Sequence, residues 1–224
     1  PGSANIPAVY ERRYWVAEDS GRQIMELMKS DMKPSEIMTR KAFENAIHVL
    51  EALGGSTNAV IHLIAIAHQL DIELDLRTFD KLSSETPYLA NVKPSGKYVV
   101  ADFYEAGGVL AVMKELEPLL DTDVLTVTGK TLKENLAQVK VKRTPVIAPL
   151  DKPLSREGGL AILFGNLAPD GAVIKVSAAS PDLLQHRGNA VVFNSMAEAR
   201  ETLLGKEAEI SADDVLVLRY VGPK

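Results

Sequence analysis

The sequence predicts two domains, a helical one followed by a smaller β-rich one. Before about residue 140, apolar residues recur at intervals of three and four, which is the spacing of one face of a helix. After Arg143 the chain changes to short runs of β-forming residues separated by Gly, Pro and Asp. A chain of 224 residues can hold two modest domains, which we place at residues 1–143 and 144–224.

The first predicted helix runs from Tyr10 to Lys29. Its apolar residues Val16, Ile24 and Leu27 lie at loosely helical spacing among charged residues, which is typical of an amphipathic helix. Pro34 follows shortly afterwards and closes the segment, because proline cannot continue a helix.

The second helix, over Arg40–Leu53, has the clearest pattern in the chain. Thr39 is a suitable N-cap, and Gly54 and Gly55 provide a stop signal. The apolar residues recur at intervals of three and four, namely Phe43, Ala46, Ile47, Leu50 and Leu53.

A third helix is predicted over Thr57–Leu70, with Ser56 as its cap. Its sequence is apolar nearly all round, so we expect it to be buried on most of its faces. The second and third helices therefore meet at a Gly-Gly-Ser corner.

Shorter elements complete the first domain. Helices are predicted over Leu76–Ser84, Val99–Glu117 and Gly129–Val139, and a strand is predicted over Leu125–Thr128. The Gly pair that begins at Gly107 should split the second of these helices.

Four strands and one helix are predicted in the second domain. The helix covers Met196–Leu204, and the first two strands are close enough in sequence to be neighbours. The strands are expected over Ala161–Phe164, Ala172–Val176, Ala190–Phe193 and Val215–Tyr220.

Composition narrows the possible functions. The net charge of −5, with both signs interspersed, gives no basic face for a nucleic-acid backbone and leaves small molecules or proteins as the favoured partners. The absence of cysteine removes disulfides, zinc-thiolate sites and iron-sulfur ligation from these residues. The longest apolar stretch, Ala59–Ala67, is far shorter than the roughly 20 residues of a bilayer crossing, so no membrane partner is expected.

The sharpest local motif is the corner Gly54–Asn58, which opens the apolar third helix. Free N–H groups at a helix N-terminus, beside hydroxyl donors, suit a carboxylate or a phosphate. The alternative is that the Gly-Gly-Ser sequence only turns the chain and caps the helix. The residues by themselves leave both interpretations open.

Other motifs give no catalytic site. Thr126–Thr131 resembles the end of a P-loop, but Val124 stands where that loop needs glycine, so a turn between a strand and a helix explains it. The four histidines lack the spacing of a helical zinc site, and His62 is interpreted as a hydrogen-bonded core histidine. No spaced pair of carboxylates indicates an acid and base couple.

Six blocks, in order along the chain, resemble the dihydroxy-acid and sugar-acid dehydratase family. They lie at residues 1–4, 39–46, 54–63, 93–98, 125–132 and 165–172, with the sequences PGSA, TRKAFENA, GGSTNAVIHL, KPSGKY, LTVTGKTL and GNLAPDGA. The resemblance implies an α/β fold, in which the helix-rich end of an N-terminal α/β domain is followed by part of a β-rich, barrel-like swivelling domain.

The resemblance also implies a reaction. Family members remove water from a 2,3-dihydroxy carboxylic acid, and the resulting enol tautomerises to a 2-keto-3-deoxy acid. An iron-sulfur cluster and magnesium assist the reaction, and a serine is the base. By the resemblance, the ligands and the serine lie before Pro1 and after Lys224, so no catalytic or metal-binding residue is expected among these 224 and the chain alone should be inactive.

The resemblance implies that four residues of this chain bind the substrate, namely Gly55, Ser56, Thr57 and Asn58. The parent protein should be cytoplasmic and a homodimer or homotetramer. Four further blocks, at residues 102–104, 177–181, 184–188 and 216–219, favour the sugar-acid branch, with arabinonate or xylonate as substrate. Dihydroxy-acid dehydratase of branched-chain amino-acid biosynthesis is the alternative, and a non-catalytic binding or structural relative is an alternative from another class.

Overall fold

The structure is a computed structural model that describes residues 2–142, 144–205 and 210–222. It divides into two compact units, Pro1–Ala178 and Ala179–Lys224. Arg143, at which the sequence predicts the domain boundary, lies outside the described residues, and that boundary stays a prediction. No helix within the described ranges combines the length and the hydrophobicity that crossing a membrane requires.

The first unit is mainly helical, as predicted. Its α-helices are α1 (Arg12–Lys29), α2 (Pro34–Ile37), α3 (Arg40–Leu53), α4 (Asn58–His68), α5 (Leu76–Glu85), α6 (Val100–Glu105), α7 (Gly108–Glu115) and α8 (Leu132–Leu136). Short 3-10 helices cover Glu117–Leu119 and Val176–Ala178.

Helix α3 forms as its sequence predicts. The Thr39 hydroxyl accepts a hydrogen bond from the Ala42 N–H, and Gly54 ends the helix in the left-handed conformation, with φ 56°. The helix contributes to two cores, because Ala52 packs beside α6 and α7, whereas Phe43 and Ile47 pack against α4 and α5. Helix α3 is therefore the element that connects the two halves of the first unit.

Strands β1 (Ala161–Leu163) and β2 (Ala172–Ile174) pair antiparallel, with Ile162 opposite Val173, which confirms that these two strands are neighbours. Strand β1 packs on α5, and Leu160 and Ile162 enter the core formed by α3, α4 and α5. The β-rich segment thus completes a core that the helices begin.

The predicted strand over Leu125–Thr128 is wrong. Leu125 makes only an isolated bridge with Thr131, and the N–H of Gly129 donates to the Thr126 carbonyl at 3.0 Å, which closes a turn. Gly129 has a φ of 74°, which turns the chain back before a strand can extend. The following helix is shorter than predicted and is capped by the Thr131 side chain.

The expectation that α4 is buried on most faces is also wrong. Val60 and Ala67 are buried, but Ile61 and Ile66 are 50% and 44% exposed. The helix packs through one face, and the opposite face remains open to solvent. A helix that is apolar on all faces is expected to pack against other elements on most of them. Its sequence does not indicate which elements those are.

The second unit contains β3 (Ala190–Phe193), α9 (Met196–Leu204) and β4 (Val215–Leu218), preceded by a 3-10 helix over Pro181–Leu183. The two strands pair in parallel, with α9 between them in sequence, and α9 has the bounds that the sequence predicts. Ser195 caps α9 by accepting from the Glu198 N–H. Buried Phe193 and Ala199 form the small core of this unit.

Candidate functional site

The corner between α3 and α4 is built by two glycines and a serine. The N–H of Gly55 donates to the Leu50 carbonyl at 2.9 Å, and the left-handed Gly54 makes this closure possible. The Ser56 hydroxyl then accepts from the Asn58 N–H at 3.2 Å. Helix α4 begins at Asn58, one residue after the predicted start, and its N-cap residue is Thr57 and not Ser56 as predicted.

Two backbone donors remain free at this corner. The N–H groups of Ser56 and Thr57 reach no acceptor within the part of the chain that the structure describes. They lie at the positive end of the α4 dipole, where an anion is stabilised. The capping interpretation and the anion-binding interpretation are thus compatible, because the contact with Asn58 uses the Ser56 oxygen and leaves these two N–H groups available.

The four predicted site residues are contiguous and accessible in different degrees. Ser56 and Asn58 are exposed, whereas Gly55 and Thr57 are half-buried. A side chain at Gly55 would meet Leu50, so glycine is required there for space. Their role in substrate binding stays a prediction, because it concerns a ligand that the geometry alone does not identify.

Gly159 packs directly against Gly54 at the corner. A Cβ atom on Gly159 would lie 2.3 Å from the Gly54 Cα, so the two backbones touch at this crossing. The Ser177 N–H donates to the Gly159 carbonyl at 3.2 Å, which brings the Ser177 side chain to the same place. The corner is therefore fixed by backbone contact with a segment about a hundred residues further along the chain.

Three hydroxyl groups gather beside Gly54. A Cβ atom on Gly54 would lie 2.8 Å from the Tyr88 ring and 2.9 Å from the Ser177 Oγ, and the Ser95 Oγ lies 3.3 Å from that of Ser177. Tyr88 is 8% exposed, and its hydroxyl oxygen is buried without a hydrogen bond to the described residues. Burial raises the pKa of the Tyr88 phenol, and the Ser95 hydroxyl offsets part of that rise. The Gly54 side of the corner is therefore packed against the Tyr88 ring and the Ser177 hydroxyl.

Tyr88→Phe should leave stability within about 1 kcal/mol of wild type or raise it, because it removes a buried hydroxyl that has no good partner. Urea unfolding measures this. Ser83→Ala is the control and should destabilise, because the Ser83 hydroxyl donates to the Leu160 carbonyl at 2.5 Å. A large loss of stability in Tyr88→Phe would show that the hydroxyl has a structural partner.

A buried carboxyl group, that of Glu51, lies in the last turn of α3, just before the corner. Glu51 is 1% exposed, and its Oε2 accepts from the Leu160 N–H at 3.0 Å and lies 3.2 Å from the Ser83 Oγ. Burial raises the pKa of Glu51 from 4.5 to about 7, although the hydrogen bond from the Leu160 N–H acts in the opposite direction. The carboxyl thus ties α3 to the segment before β1.

The interpretation of His62 as a core histidine is wrong, because His62 lies on the exposed face of α4. The buried histidine is His48 on α3, which is 7% exposed and hydrogen bonds to Thr86 at 2.6 Å. The turn interpretation of Thr126–Thr131 is supported by the hydrogen bond that closes it.

Sequence reasoning missed Glu51, Tyr88, Gly159 and Ser177. A signal was available for Glu51, since it follows Phe43 and Ile47 at intervals of four and so lies on their buried stripe. No comparable signal marks Tyr88, because its burial depends on segments distant in sequence.

Models of two protein domains match this chain. One is described as dihydroxy-acid/6-phosphogluconate dehydratase N-terminal and matches residues 1–135. The other is described as dihydroxy-acid/6-phosphogluconate dehydratase C-terminal and matches residues 145–224. Together they cover most of the chain, on both sides of the predicted boundary.

Curated relatives named dihydroxy-acid dehydratase match the whole chain. Those of Caldicellulosiruptor saccharolyticus, Caldanaerobacter subterraneus subsp. tengcongensis and Pyrococcus abyssi are 50%, 48% and 49% identical to it over 226 residues. The chain spans 41%, 40% and 40% of their respective lengths.

Proposed function

The chain belongs to the dihydroxy-acid/6-phosphogluconate dehydratase family, and on that premise we propose that its parent protein is a dihydroxy-acid dehydratase. This hydro-lyase would remove water from a 2,3-dihydroxy acid of branched-chain amino-acid biosynthesis. The proposal rests on relatives of that name, 48% to 50% identical along the whole chain. The activity is proposed for the parent, because the chain spans about 40% of the length of these relatives.

The prediction of a sugar-acid substrate is wrong, since the relatives that match the whole chain at these identities are named dihydroxy-acid dehydratase. Two of the blocks that favoured sugar acids have structural roles. The Asp102 carboxylate accepts from the Val99 N–H at the start of α6, and Leu216–Leu218 lie in β4. Residues that cap a helix or pair in a sheet give no information about which substrate the protein binds.

The family resemblance implies an iron-sulfur cluster and magnesium, and the residues of this chain do not fit either. The sequence has no cysteine, and the described ranges hold no group of three or more His, Asp or Glu side chains that could bind a metal ion. We therefore assign no metal-dependent step to these residues and propose for them a part in substrate binding alone.

We propose that the corner at Gly55–Asn58 binds the substrate carboxylate. The observation that supports this is the pair of free N–H groups, of Ser56 and Thr57, at the start of an 11-residue helix. Hydroxyl groups beside them can add hydrogen bonds, and the helix dipole favours the negative charge.

Ser56→Ala combined with Thr57→Val, made in the parent protein, should lower kcat/KM for the dihydroxy acid about tenfold, because hydrogen bonds to a charged group contribute roughly 1.5–3 kcal/mol. The absorbance of the cluster should be unchanged. Steady-state kinetics with a visible spectrum measures both quantities.

The control for this double variant is Ser195→Ala, which removes the cap of α9 and should leave kcat/KM unchanged. Wild-type kinetics in the double variant, with a normal melting temperature, would show that the Ser56 and Thr57 hydroxyls do not bind the substrate. Loss of both the cluster absorbance and the activity would indicate a folding defect. The kinetics of Ser56→Ala alone would then show whether the Ser56 hydroxyl contributes to substrate binding.

We also propose that residues 1–143 and 144–224 belong to an α/β domain and to a barrel-like swivelling domain. The two domain models support this division, since one ends at residue 135 and the other begins at residue 145. Two-stranded sheets such as β1–β2 have edges that further barrel strands could pair with. From family membership we propose a cytoplasmic homodimer or homotetramer, which light scattering of the parent would test.

A further inference from the structure

Glu51 contacts both backbones of the crossing that fixes the corner at Gly55–Asn58. Its carbonyl oxygen accepts from the Gly54 N–H at 3.1 Å and from the Gly159 N–H at 3.0 Å. Its side-chain Oε2 accepts from the Leu160 N–H at 3.0 Å. One residue of α3 therefore joins the start of the corner to the segment that packs against it. No step of the proposed dehydration uses this residue.

The backbone of residues 158–160 closes directly over the Glu51 carboxyl. A Cβ atom on Gly158 would lie 2.5 Å from Glu51 Oε2 and 2.7 Å from the Ser83 Oγ. The Gly158 N–H also donates to the Ser83 carbonyl at 3.0 Å, and Glu51 is 1% exposed. Because this packing has no spare room, a change in the carboxyl is transmitted to the segment that touches Gly54.

The hydrogen bonds of residues 158–160 depend on the charge of Glu51. The Ser83 hydroxyl has one proton, which it donates to the Leu160 carbonyl at 2.5 Å. The same oxygen lies 3.2 Å from Glu51 Oε2, so a neutral carboxyl can donate to it. A carboxylate has no proton to donate, and it either faces the Ser83 oxygen or draws the Ser83 proton away from Leu160. In both cases one of the contacts of Ser83 is lost.

The groups around Glu51 favour its neutral form. Residues 158–160 have no titratable side chain, and His48, one turn earlier on α3, hydrogen bonds to Thr86 and has a pKa that burial lowers. Four side chains of α5 are charged and exposed, namely Arg77, Asp80, Lys81 and Glu85. Burial raises the pKa of Glu51 to about 7, so the group changes its charge near neutral pH.

We propose that Glu51 is a positioning residue for the corner at Gly55–Asn58. In its neutral form it holds residues 158–160 against Gly54, and its ionisation loosens this contact. The free N–H groups at the start of α4 then lose their fixed direction, because Gly54 connects them to the crossing. The consequence for catalysis rests on the proposed function of the corner: the affinity for substrate should fall as the pH rises through about 7.

Hydrogen exchange of the parent protein, followed by mass spectrometry, tests the positioning without substrate. Wild type and Glu51→Gln are compared at equal pH, so that the intrinsic effect of pH on exchange cancels. At pH 8, peptides that contain residues 54–58 and 158–160 should exchange at least about tenfold more slowly in Glu51→Gln. At pH 5 the difference should be much smaller. Helix α7, in the same unit, is the internal control and should exchange equally in the two proteins.

Steady-state kinetics of the parent protein tests the consequence for binding. The KM of wild type, divided by that of Glu51→Gln, should be near one at pH 5 and rise to about ten at pH 8. The reason is that only the neutral fraction of Glu51, roughly a tenth at pH 8, holds the corner in its binding geometry. The ratio of the kcat values should not change with pH. Glu18→Gln, an exposed position on α1, is the control and should follow wild type.

Two results would overturn the proposal. One is equal exchange of residues 54–58 in the two proteins at pH 8, and the other is a difference that extends equally to α7, which would show an effect on global stability alone. A local difference in exchange with identical KM profiles would support the role of Glu51 and contradict substrate binding by the corner. If Glu51→Gln did not fold, exchange of wild type at pH 5 and pH 8, divided by that of α7, would give the same test.

Discussion

Glu51→Gln is expected to raise the free energy of unfolding at pH 8 by about 3 kcal/mol, and at pH 5 by less than about 1 kcal/mol. Glutamine has the shape of a protonated glutamic acid and carries no charge. Its carbonyl oxygen, at the position of Glu51 Oε2, can accept from the Leu160 N–H. The variant thus keeps the hydrogen bond from Leu160 and removes the ionised form.

The direction follows from the pKa of Glu51, which burial raises from 4.5 to about 7. A carboxyl whose pKa is higher in the folded state stabilises the fold at low pH. That contribution is complete below about pH 4.5 and is lost as the pH rises through about 7. Wild-type stability should therefore fall between pH 5 and pH 8, and the fall should be smaller in Glu51→Gln.

The arrangement of protons around Glu51 supports a neutral acid. The Ser83 hydroxyl is 2.5 Å from the Leu160 carbonyl, and a carbonyl can only accept, so the one Ser83 proton is used there. The contact of 3.2 Å between Ser83 Oγ and Glu51 Oε2 then needs a proton on the carboxyl. A protonated Glu51 fits this geometry without leaving two oxygens facing each other.

Urea unfolding of the chain at pH 5 and pH 8, followed by circular dichroism, measures this effect. The control is Glu18→Gln, in which the same change is made at an exposed position on α1 and should not alter the pH dependence. An unchanged pH dependence in Glu51→Gln would mean that Glu51 is not the group responsible. Glu51→Ala should be less stable than Glu51→Gln at both pH values, because alanine leaves the Leu160 N–H unpaired.

Gly159→Ala is expected to lower the free energy of unfolding by about 3 kcal/mol, at the upper end of the range for overpacking. The new methyl group would lie 2.3 Å from the Gly54 Cα and 3.1 Å from the Gly54 nitrogen. Both are backbone atoms, so no side-chain rotation can relieve the overlap. The two segments would have to separate, which would displace the corner at Gly55–Asn58.

The matched control is Gly21→Ala, since Gly21 lies in α1 with open space around its Cα. There alanine should raise stability by about 0.5–1 kcal/mol, because it favours the helix. Thermal unfolding of both variants provides the comparison. If Gly159→Ala were as stable as wild type, the two backbones would not be in contact at this crossing.

The helices were predictable because their signals are local. Thr39 and Gly54 mark the ends of α3, and Ser195 marks the start of α9, through hydrogen bonds within a few residues of each helix end. The strand predicted over Leu125–Thr128 failed for a local reason that propensity does not contain. The left-handed Gly129 closes a turn there, and β-forming residues can occupy a turn as well as a strand.

By itself, the sequence determined the helical first part, the β-containing second part, and the corner at Gly54–Asn58, since each depends on spacing and capping between near neighbours. Only the tertiary structure decided that Glu51 is buried, that Tyr88 and Ser177 lie against Gly54, and that Gly159 leaves room for the crossing. These contacts join segments that are 34 to 123 residues apart. Burial and proximity of that kind are properties of the packed chain, because they depend on which distant backbone removes water from a side chain.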